Sequence, residues 1–382
     1  MDFSWSEEQL ALKNNIMRFS REELNHDIIN RDKKMEFSWS GWEKCAALGI
    51  LGLPVPEEYG GSGLDILTII LAMETLGYGC KDSGLVFAIN TQLWSCEEPI
   101  LKFGNEDQKK KYLPELCAGK LVGGHAMTEP DSGSDAFSLK TRAVKQGDTY
   151  IINGSKTFIT NAPISDLLIV FALTDKEKAW RGISAFIVEK GTPGFTVSRE
   201  LDKLGLRTSP VGELTFDDCE VPATNLLGKE GMGMAIFNSE MEWERSCLFA
   251  CHLGAMERQL EACVRYAKER QQFGQPIGKF QSISNKIADM KARIELARML
   301  LYKIGWLKSR GERSYLEAAI AKLFISESFV HSSLDAIQIH GGYGYMTDFE
   351  IERDLRDSIA STIYSGTSEI QRNTISQWLL EI

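Results

Sequence analysis

The sequence lacks the features that mark several common protein classes. It has no run rich in lysine or arginine, and its formal net charge of −10 opposes contact with a polyphosphate, so we expect no nucleic-acid partner. It has no apolar run long enough to cross a membrane, and we expect no membrane association. Its opening residues, MDFSWSEEQLALKNN, are acidic and amphipathic, which is typical of neither a signal peptide nor an anchor. It also has no internal repeat.

Cysteine pairs are missing as well. The eight cysteines form no Cys-x-x-Cys pattern and lie mostly in apolar helical surroundings, which predicts free thiols in a reducing cytoplasm. Cys247 and Cys251, with His252 next to the second, could resemble a metal site. Two thiols without two further ligands more often indicate helix packing, so we expect no metal.

The residues that are present suit a folded protein with several layers. The chain has 382 residues, of which 43% are apolar and 25% charged, enough for a sizeable core. Residues 1–121 have helical periodicity, residues 122–228 alternate β-branched and aromatic runs with Gly, Pro and Asn turns, and residues 229–382 are helical again. The pattern predicts an N-terminal α domain, a central β domain and a C-terminal helical domain.

Local signals support this division. Ser6 followed by Gln9 is typical of a capping box at the start of the first helix, and Asn153-Gly154 predicts a β-hairpin turn. Apolar residues repeat at four-and-three spacing near residue 290, which favours a seam between packed helices. The seam residues are Ile283, Ile287, Met290, Ile294, Ala297 and Leu301.

Four stretches have the composition of ligand-binding turns. HAMTEPDSGSD at 125–135 ends a predicted strand in a turn whose N–H groups could hold a ring carbonyl or a phosphate. ERQQFGQPIGKFQ at 269–281 offers an arginine for a pyrophosphate and a phenylalanine for a flat ring. QIHGGYGY at 338–345 and IYSGTSEIQR at 363–372 contain glycines that allow close approach of the backbone. Taken singly, each is explained equally well by an ordinary loop or helix-to-helix turn.

Together, the stretches resemble the acyl-CoA dehydrogenase family. MTEPDSGSD, FIT at 158–160, RQQFG, QIHGGYGY and GTSEIQR occur in the order and spacing of that family over essentially the whole chain. The resemblance implies an α+β multidomain fold with an N-terminal α-helical domain, a central β-barrel-like domain and a C-terminal four-helix bundle. It also implies FAD as cofactor and a homotetramer, in which a neighbouring subunit reaches each FAD.

The same resemblance assigns cofactor residues by motif position. Met127, Thr128 and Ser134 should lie beside the isoalloxazine ring and the substrate, and Phe158 and Thr160 should flank the flavin. The residues expected to approach the pyrophosphate and adenosine from a partner subunit are Arg270, Phe273, Gln281, Gln338, Gly341 and Gly342. Thr367 and Glu369 should close over the FAD.

The expected reaction needs a base, and the usual position does not hold one. Desaturation removes a proton from Cα and a hydride from Cβ, but Ser365 stands where much of the family has a glutamate, and a hydroxyl without an activating partner is too weak. A second branch of the family carries its glutamate on the first long helix of the C-terminal domain. WERSCLFACHLG matches that segment and places Glu244 at the base position, with Arg245 as a buried cation beside it. The competing interpretation pairs Glu244 with Arg245 or Arg258 on a solvated face.

The Glu244 segment together with RDSIASTIYSGTSEIQ is similar to a narrower group, the flavoproteins that oxidise L-proline held as a thioester on a carrier protein. That similarity implies an acyl or peptidyl carrier protein as partner and a pyrroline or a pyrrole as product. Ser134, Arg245 and Ser365 are then expected at the substrate, and Trp243, Tyr364 and Trp94 are candidates to shorten its pocket. Trp243, Tyr364 and Trp94 can equally be ordinary core residues.

Two alternative functions stay open at this point. One is a short- or branched-chain acyl-CoA dehydrogenase, and the other is a non-catalytic FAD-binding homologue in which Glu244 points into the bundle core. Because carrier proteins are usually acidic and this chain is acidic too, docking would need a local basic surface. The candidates for that surface are Lys279, Lys308, Arg310 and Arg313.

Overall fold

The computed structural model describes residues 4–381. The N-terminal part is helical and contains α1 (Glu7–Glu23), α2 (Ile28–Lys34), α3 (Trp39–Ala47), α4 (Ile66–Gly79), α5 (Ser83–Gln92), α6 (Glu98–Phe103) and α7 (Glu106–Cys117). The predicted capping box at α1 is confirmed, because Ser6 Oγ accepts the Gln9 N–H and the Gln9 side chain accepts the Ser6 N–H. Between α5 and α6 the helix widens into one π-helical turn, Leu93–Glu97.

The middle part folds into one eight-stranded sheet. Its strands are β1 (Gly123–Ala126), β2 (Arg142–Gln146), β3 (Thr149–Thr160), β4 (Leu167–Leu173), β5 (Ile183–Glu189), β6 (Phe195–Glu200), β7 (Val211–Pro222) and β8 (Leu226–Leu227). The strand order is β6-β7-β3-β2-β4-β5-β8, and β1 pairs in parallel with β4. β4 and β5 are buried almost throughout, which explains why their sequences are apolar without alternation.

The predicted hairpin at Asn153-Gly154 is wrong. Both residues lie inside β3, where the register with β7 shifts between Ile152 and Gly154. The Asn153 side chain is held by Asp218 across the bulge, and a Cβ atom on Gly154 would lie 2.4 Å from Thr141 Oγ1. The glycine is needed there for close packing of a bulged strand and not for a turn.

The C-terminal part is helical, as predicted. It contains α8 (Gly233–Trp243), α9 (Phe249–Glu269), α10 (Gln281–Ser309), α11 (Tyr315–His340), α12 (Gly342–Tyr345), α13 (Ile351–Ser361) and α14 (Ser368–Leu380). A two-stranded ribbon of β9 (Gln271–Gln272) and β10 (Gln275–Pro276) separates α9 from α10. A second π-helical turn, Glu244–Leu248, joins α8 to α9. Among residues 4–381, no helix has both the length and the apolar character to cross a membrane.

The largest core cluster unites the N-terminal helices with the C-terminal bundle. Met290, Ile294, Ala297 and Leu301 of the predicted α10 seam are fully buried in it. Within this cluster α4 and α9 cross at two glycines, Gly77 and Gly254. This cluster fixes the position of α9 and of the π-helical turn that precedes it.

Candidate active site

The two π-helical turns face each other across the junction between the N-terminal and C-terminal helices. Trp94 from one turn stacks on Trp243, which precedes the other, with ring centroids 5.7 Å apart and planes inclined by 4°. Ser95 of the first turn donates a hydrogen bond to Glu244 of the second. π-helical turns disturb regular backbone hydrogen bonding and recur at functional sites. This pair directs a serine and a glutamate toward the same point.

Glu244 occupies the centre of this junction. Its side chain is buried, with 7% of the residue exposed, and its second carboxylate oxygen accepts a hydrogen bond of 2.6 Å from Ser365 Oγ. The carboxylate therefore has two hydroxyl donors, Ser95 and Ser365, which come from distant parts of the chain. The structure brings together the candidate base and the serine that stands at the position where much of the family has its glutamate.

The competing interpretation of Glu244 as a member of a solvated ion pair is wrong. Arg245 is also buried, and its Nε donates to the Ser365 carbonyl at 3.1 Å, not to Glu244. Arg258 bonds to carbonyl groups at the end of α4 and to Asp354. Burial lowers the pKa of Arg245 from its high ordinary value, but a guanidinium of this kind stays protonated. Arg245 acts as a support for the turn that carries Ser365.

That turn is closely held. Ser365 and Gly366 both have positive φ, 54° and 86°, and the Gln371 side chain donates to the carbonyl oxygens of both residues. Thr367 caps α14 by accepting the Ile370 N–H, and Glu369 is exposed in the first turn of that helix. The Ser365 N–H has no acceptor within residues 4–381. It is available to a carbonyl oxygen of a ligand.

Aromatic rings surround the carboxylate. Tyr364 lies 4.7 Å from Phe87, ring centre to ring centre, and its hydroxyl is 2.5 Å from His252 Nε2. Burial raises the pKa of Tyr364 well above its usual value and lowers that of His252 to about 3, so this hydrogen bond joins two neutral groups. Together with the Trp94–Trp243 stack, the Tyr364 pair limits the space beside Glu244.

Two residues of the predicted docking surface are not free. Lys308 lies 4.4 Å above the Trp243 ring and forms an ion pair of 3.1 Å with Glu242. Arg310 is paired with Glu312 at 2.6 Å. Lys279 and Arg313 are exposed, and Arg310 is exposed as well despite its ion pair, whereas Lys308 is largely covered.

The residues predicted to lie beside the flavin ring follow the end of β1 or lie near the end of β3. Met127 is buried, and its carbonyl accepts a hydrogen bond of 2.9 Å from Lys156, while the Thr128 carbonyl accepts the Thr157 N–H. Phe158 has φ of 58° and is 69% exposed, so strained backbone holds an aromatic ring outward at this point. Thr160 is half-buried, and Ser134 is exposed in the adjoining turn. The Met127 side chain packs in a core cluster of the structure and is not exposed.

Most of the residues predicted to approach the pyrophosphate and adenosine lie apart from Glu244. They line a groove of about 630 Å³ between the β9–β10 ribbon and the C-terminal end of α11. Arg270, Phe273, Gly341 and Gly342 line it. Phe273 has φ of 51° and is 94% exposed, and its ring meets the Phe280 ring edge-on with 6.0 Å between the ring centres. Gln281 and Gln338 are exposed nearby in the chain but do not line the groove.

Sequence patterns missed Ser95, Glu240 and the role of His125. Ser95 gives no local signal, because it lies within an apolar helical run. Glu240 lies four residues before Glu244, a spacing that puts both on one helix face and could have identified it. His125 Nδ1 lies 2.8 Å from Glu240 Oε2, a contact across 115 residues that no sequence pattern predicts.

Comparison with known proteins identifies three family models along the chain. The acyl-CoA dehydrogenase N-terminal domain matches residues 6–120, the middle domain 124–219 and the C-terminal domain 231–380. The chain is 44% identical to the L-prolyl-[peptidyl-carrier protein] dehydrogenase of Pseudomonas fluorescens, covering 99% of this chain and 100% of that protein. It is 46% identical to an acyl-CoA dehydrogenase of Bacillus subtilis, covering 98% of each.

Two solved structures are similar throughout. The crystal structure of the prolyl acyl carrier protein oxidase AnaB superimposes with a TM-score of 0.97 and 50% identity, covering 98% of this chain and 100% of that one. The structure of PigA with FAD and proline superimposes with a TM-score of 0.97 and 41% identity, covering 99% of each chain.

Proposed function

Because this chain belongs to the acyl-CoA dehydrogenase family, we propose that it oxidises an L-prolyl thioester carried by an acyl or peptidyl carrier protein. The product is a pyrroline- or pyrrole-carboxyl thioester. The observation that carries the proposal is the hydrogen bond between Glu244 and Ser365, which joins the relocated carboxylate to the serine. The similarity to AnaB and to the prolyl dehydrogenase of Pseudomonas fluorescens, over nearly the full chain, supports the same substrate.

The enzyme is an FAD-dependent oxidoreductase that acts on a CH–CH bond. Its residues fit that cofactor, since an outward aromatic ring at Phe158 suits a flat ring system and the Met127–Thr128 main chain lies beside it. We assign Phe158, Thr160, Thr128 and Ser134 to the flavin end. When bound, FAD supplies the acceptor for the hydride that leaves Cβ.

Glu244 takes the proton from Cα of the prolyl group. The Ser95 and Ser365 hydroxyls each donate a hydrogen bond to its carboxylate and hold it in one orientation for proton transfer. The free N–H of Ser365 polarises the thioester carbonyl and stabilises the negative charge that develops on its oxygen. Arg245 and Gln371 fix this N–H by holding the carbonyl oxygens of the turn.

The aromatic rings near Glu244 favour a short acyl group. The Trp94–Trp243 stack and the Tyr364–His252 pair have little freedom to move, because Trp94 and His252 are buried and Trp243 and Tyr364 are partly buried against the core. A five-membered prolyl ring needs less space than a longer alkyl chain. The alternative of a short- or branched-chain acyl-CoA dehydrogenase is less well supported.

A comparison of thioesters tests the proposed substrate. We expect L-prolyl carrier protein to be oxidised much faster than free L-proline, because a thioester makes the α-proton far more acidic than a free carboxylate does. L-prolyl-CoA, isovaleryl-CoA and butyryl-CoA at matched concentrations complete the panel, and mass spectrometry of the loaded carrier gives the product. If isovaleryl-CoA or butyryl-CoA is oxidised best, the enzyme is an acyl-CoA dehydrogenase and the prolyl assignment is wrong.

We further propose a homotetramer. Arg270 and Phe273 are assigned to the adenosine end of FAD, yet they line a groove that contains none of the residues around Glu244. The groove also exposes Tyr343, Met346 and Phe349, an apolar surface suited to a neighbouring subunit. Sedimentation is expected to show a tetramer that dissociates on Phe273→Glu with loss of flavin. An active, flavin-loaded monomer would contradict this assembly.

The cytoplasm is the proposed location. All eight cysteines are buried and unpaired, which is typical of a reducing compartment. Cell fractionation tests this assignment, and recovery in an exported fraction would oppose it.

A further inference from the structure

A buried pair of titratable groups lies one helical turn from the proposed base. The Glu244 N–H bonds to the Glu240 carbonyl, so the two glutamates follow each other on one face of the helix. Glu240 is completely buried, and its Oε2 bonds to His125 Nδ1 at 2.8 Å. Its Oε1 has no hydrogen-bond partner within residues 4–381. No step of the mechanism above uses either Glu240 or His125.

The pair leads away from the base toward solvent. His125 projects from β1 between the rings of Phe171 and Phe237, whose centres lie 6.3 and 6.2 Å from its own. The side chain of His125 is 22% exposed, whereas that of Glu240 is 0% exposed. The order Glu244, Glu240, His125 therefore runs from the active site through a closed interior to a group that water reaches.

The charges around the pair favour a stored proton. Burial raises the pKa of Glu240 to about 8, and the neighbouring carboxylates of Glu244 and Glu98 act in the same direction while His125 opposes them. Burial opposes protonation of His125, but Glu240 and Glu244 raise its pKa overall against the smaller effect of Lys156. Other charged groups near this cluster are Lys102, 3.9 Å from Glu98, and Lys308, both of which lower the pKa of Glu98, and the carboxyl of Glu97, which acts together with Glu240 on Cys96.

Two buried carboxylates on successive turns of one helix do not both ionise readily, because like charges in a low-dielectric interior repel. With a raised pKa, the pair keeps its proton at neutral pH, and Glu244 can then carry the negative charge that a base needs. When Glu244 becomes protonated, the charge that held the proton on the pair disappears. The proton affinity of the pair falls at that moment.

We propose that His125 and Glu240 form a proton store that is coupled to Glu244. The pair holds one proton while Glu244 is ionised, and it releases that proton through His125 to solvent when Glu244 accepts the α-proton. One proton enters the cluster from Cα and one leaves at His125, so charge is conserved and no electron moves in this step. Glu240 and His125 are positioning residues for the reaction, because they act through Glu244.

This inference rests on Glu244 as the base in the proposed function. The test follows flavin reduction and proton release together in an anaerobic single turnover, with absorbance of the flavin and of a pH indicator dye. The wild-type enzyme is expected to release about one proton per flavin in step with reduction. Glu240→Gln and His125→Gln are expected to reduce the flavin without this prompt release. Glu97→Gln is the matched control, a fully buried carboxyl whose partner is Gln92, and it should behave like wild type.

The outcomes separate the two proposals. If no prolyl thioester reduces the flavin but isovaleryl-CoA does, the substrate assignment is wrong and the proton measurement proceeds with isovaleryl-CoA. Prompt release that persists in Glu240→Gln and His125→Gln, or is absent from the wild type, overturns the proton store. Infrared spectroscopy of the resting enzyme tests for the stored proton without any turnover of substrate. Because burial also raises the pKa of Glu97, more than one protonated carboxyl can contribute a C=O stretch, and the band of Glu240 is the one that Glu240→Gln removes and Glu97→Gln leaves unchanged. If Glu240→Gln removes no such band, the store is overturned.

Discussion

Glu244→Gln is expected to lower kcat by at least about a hundredfold, the lower end of what a general base contributes. The amide keeps the size of the side chain; its oxygen can accept a hydrogen bond from one of Ser95 and Ser365 and its NH2 group can donate to the other, but it cannot take the α-proton. Flavin content should therefore stay at the wild-type level while reduction of the flavin by the prolyl thioester slows. Rapid-reaction absorbance measures both quantities on one sample.

Ser365→Ala is the comparison for this prediction. It removes one of the two hydroxyl donors and leaves Glu244 with Ser95, so we expect a loss of about tenfold, in the range of one hydrogen bond to a charged group. Near wild-type turnover in Glu244→Gln would show that another group is the base. Ser365→Glu in the Glu244→Gln background places a carboxylate at the usual family position. Partial recovery of activity there would support the interpretation that the base has moved along the chain.

Order and composition of the motifs predicted the large features of this protein. The alternation of helical and β texture located the sheet, since period and residue type are local properties. The seam on α10 was predicted for the same reason. Asn153-Gly154 misled because a dipeptide that favours a turn in isolation is held in a bulge by Asp218 from another strand. A long-range contact overrode a local preference at this position.

Long-range contacts also limited how much of the candidate active site could be predicted from the sequence. Motif position identified Glu244 and Ser365, but the contact between them spans 121 residues and depends on how α14 and α8 are placed. Ser95 and His125 reach their carboxylates across 149 and 115 residues, and neither lies in a pattern that predicts such a partner. The two π-helical turns also escaped prediction, because they arise from the packing of α5–α6 against α8–α9 and not from residue preferences. The identity of the reacting residues was therefore more predictable from the sequence than the contacts that hold them in place.

Gly254→Ala is expected to destabilise the protein by at least about 3 kcal/mol, the upper end of the usual effect of overpacking a core. In an exposed helix, the same change would stabilise by about 0.5–1 kcal/mol, because alanine loses less backbone freedom on folding. Here an added Cβ would lie 2.0 Å from the Glu74 carbonyl oxygen and 2.5 Å from the Tyr78 nitrogen, both of them backbone atoms of α4. Backbone atoms in a helix cannot move aside singly, so the clash outweighs the gain in helix propensity.

The same argument holds from the other helix, since a Cβ on Gly77 would lie 2.1 Å from the Cys251 carbonyl oxygen. Urea unfolding followed by circular dichroism measures the loss in both variants, with Gly133→Ala as control because its added methyl meets no atom within 4 Å. Unchanged stability in Gly254→Ala would contradict the close approach of α4 and α9.

The same substitution is expected to affect the active site. Because α9 continues directly from the turn that holds Glu244, forcing α9 away from α4 also shifts the carboxylate relative to Ser95. We therefore expect the fraction of Gly254→Ala that still folds to reduce its flavin more slowly than the wild-type enzyme.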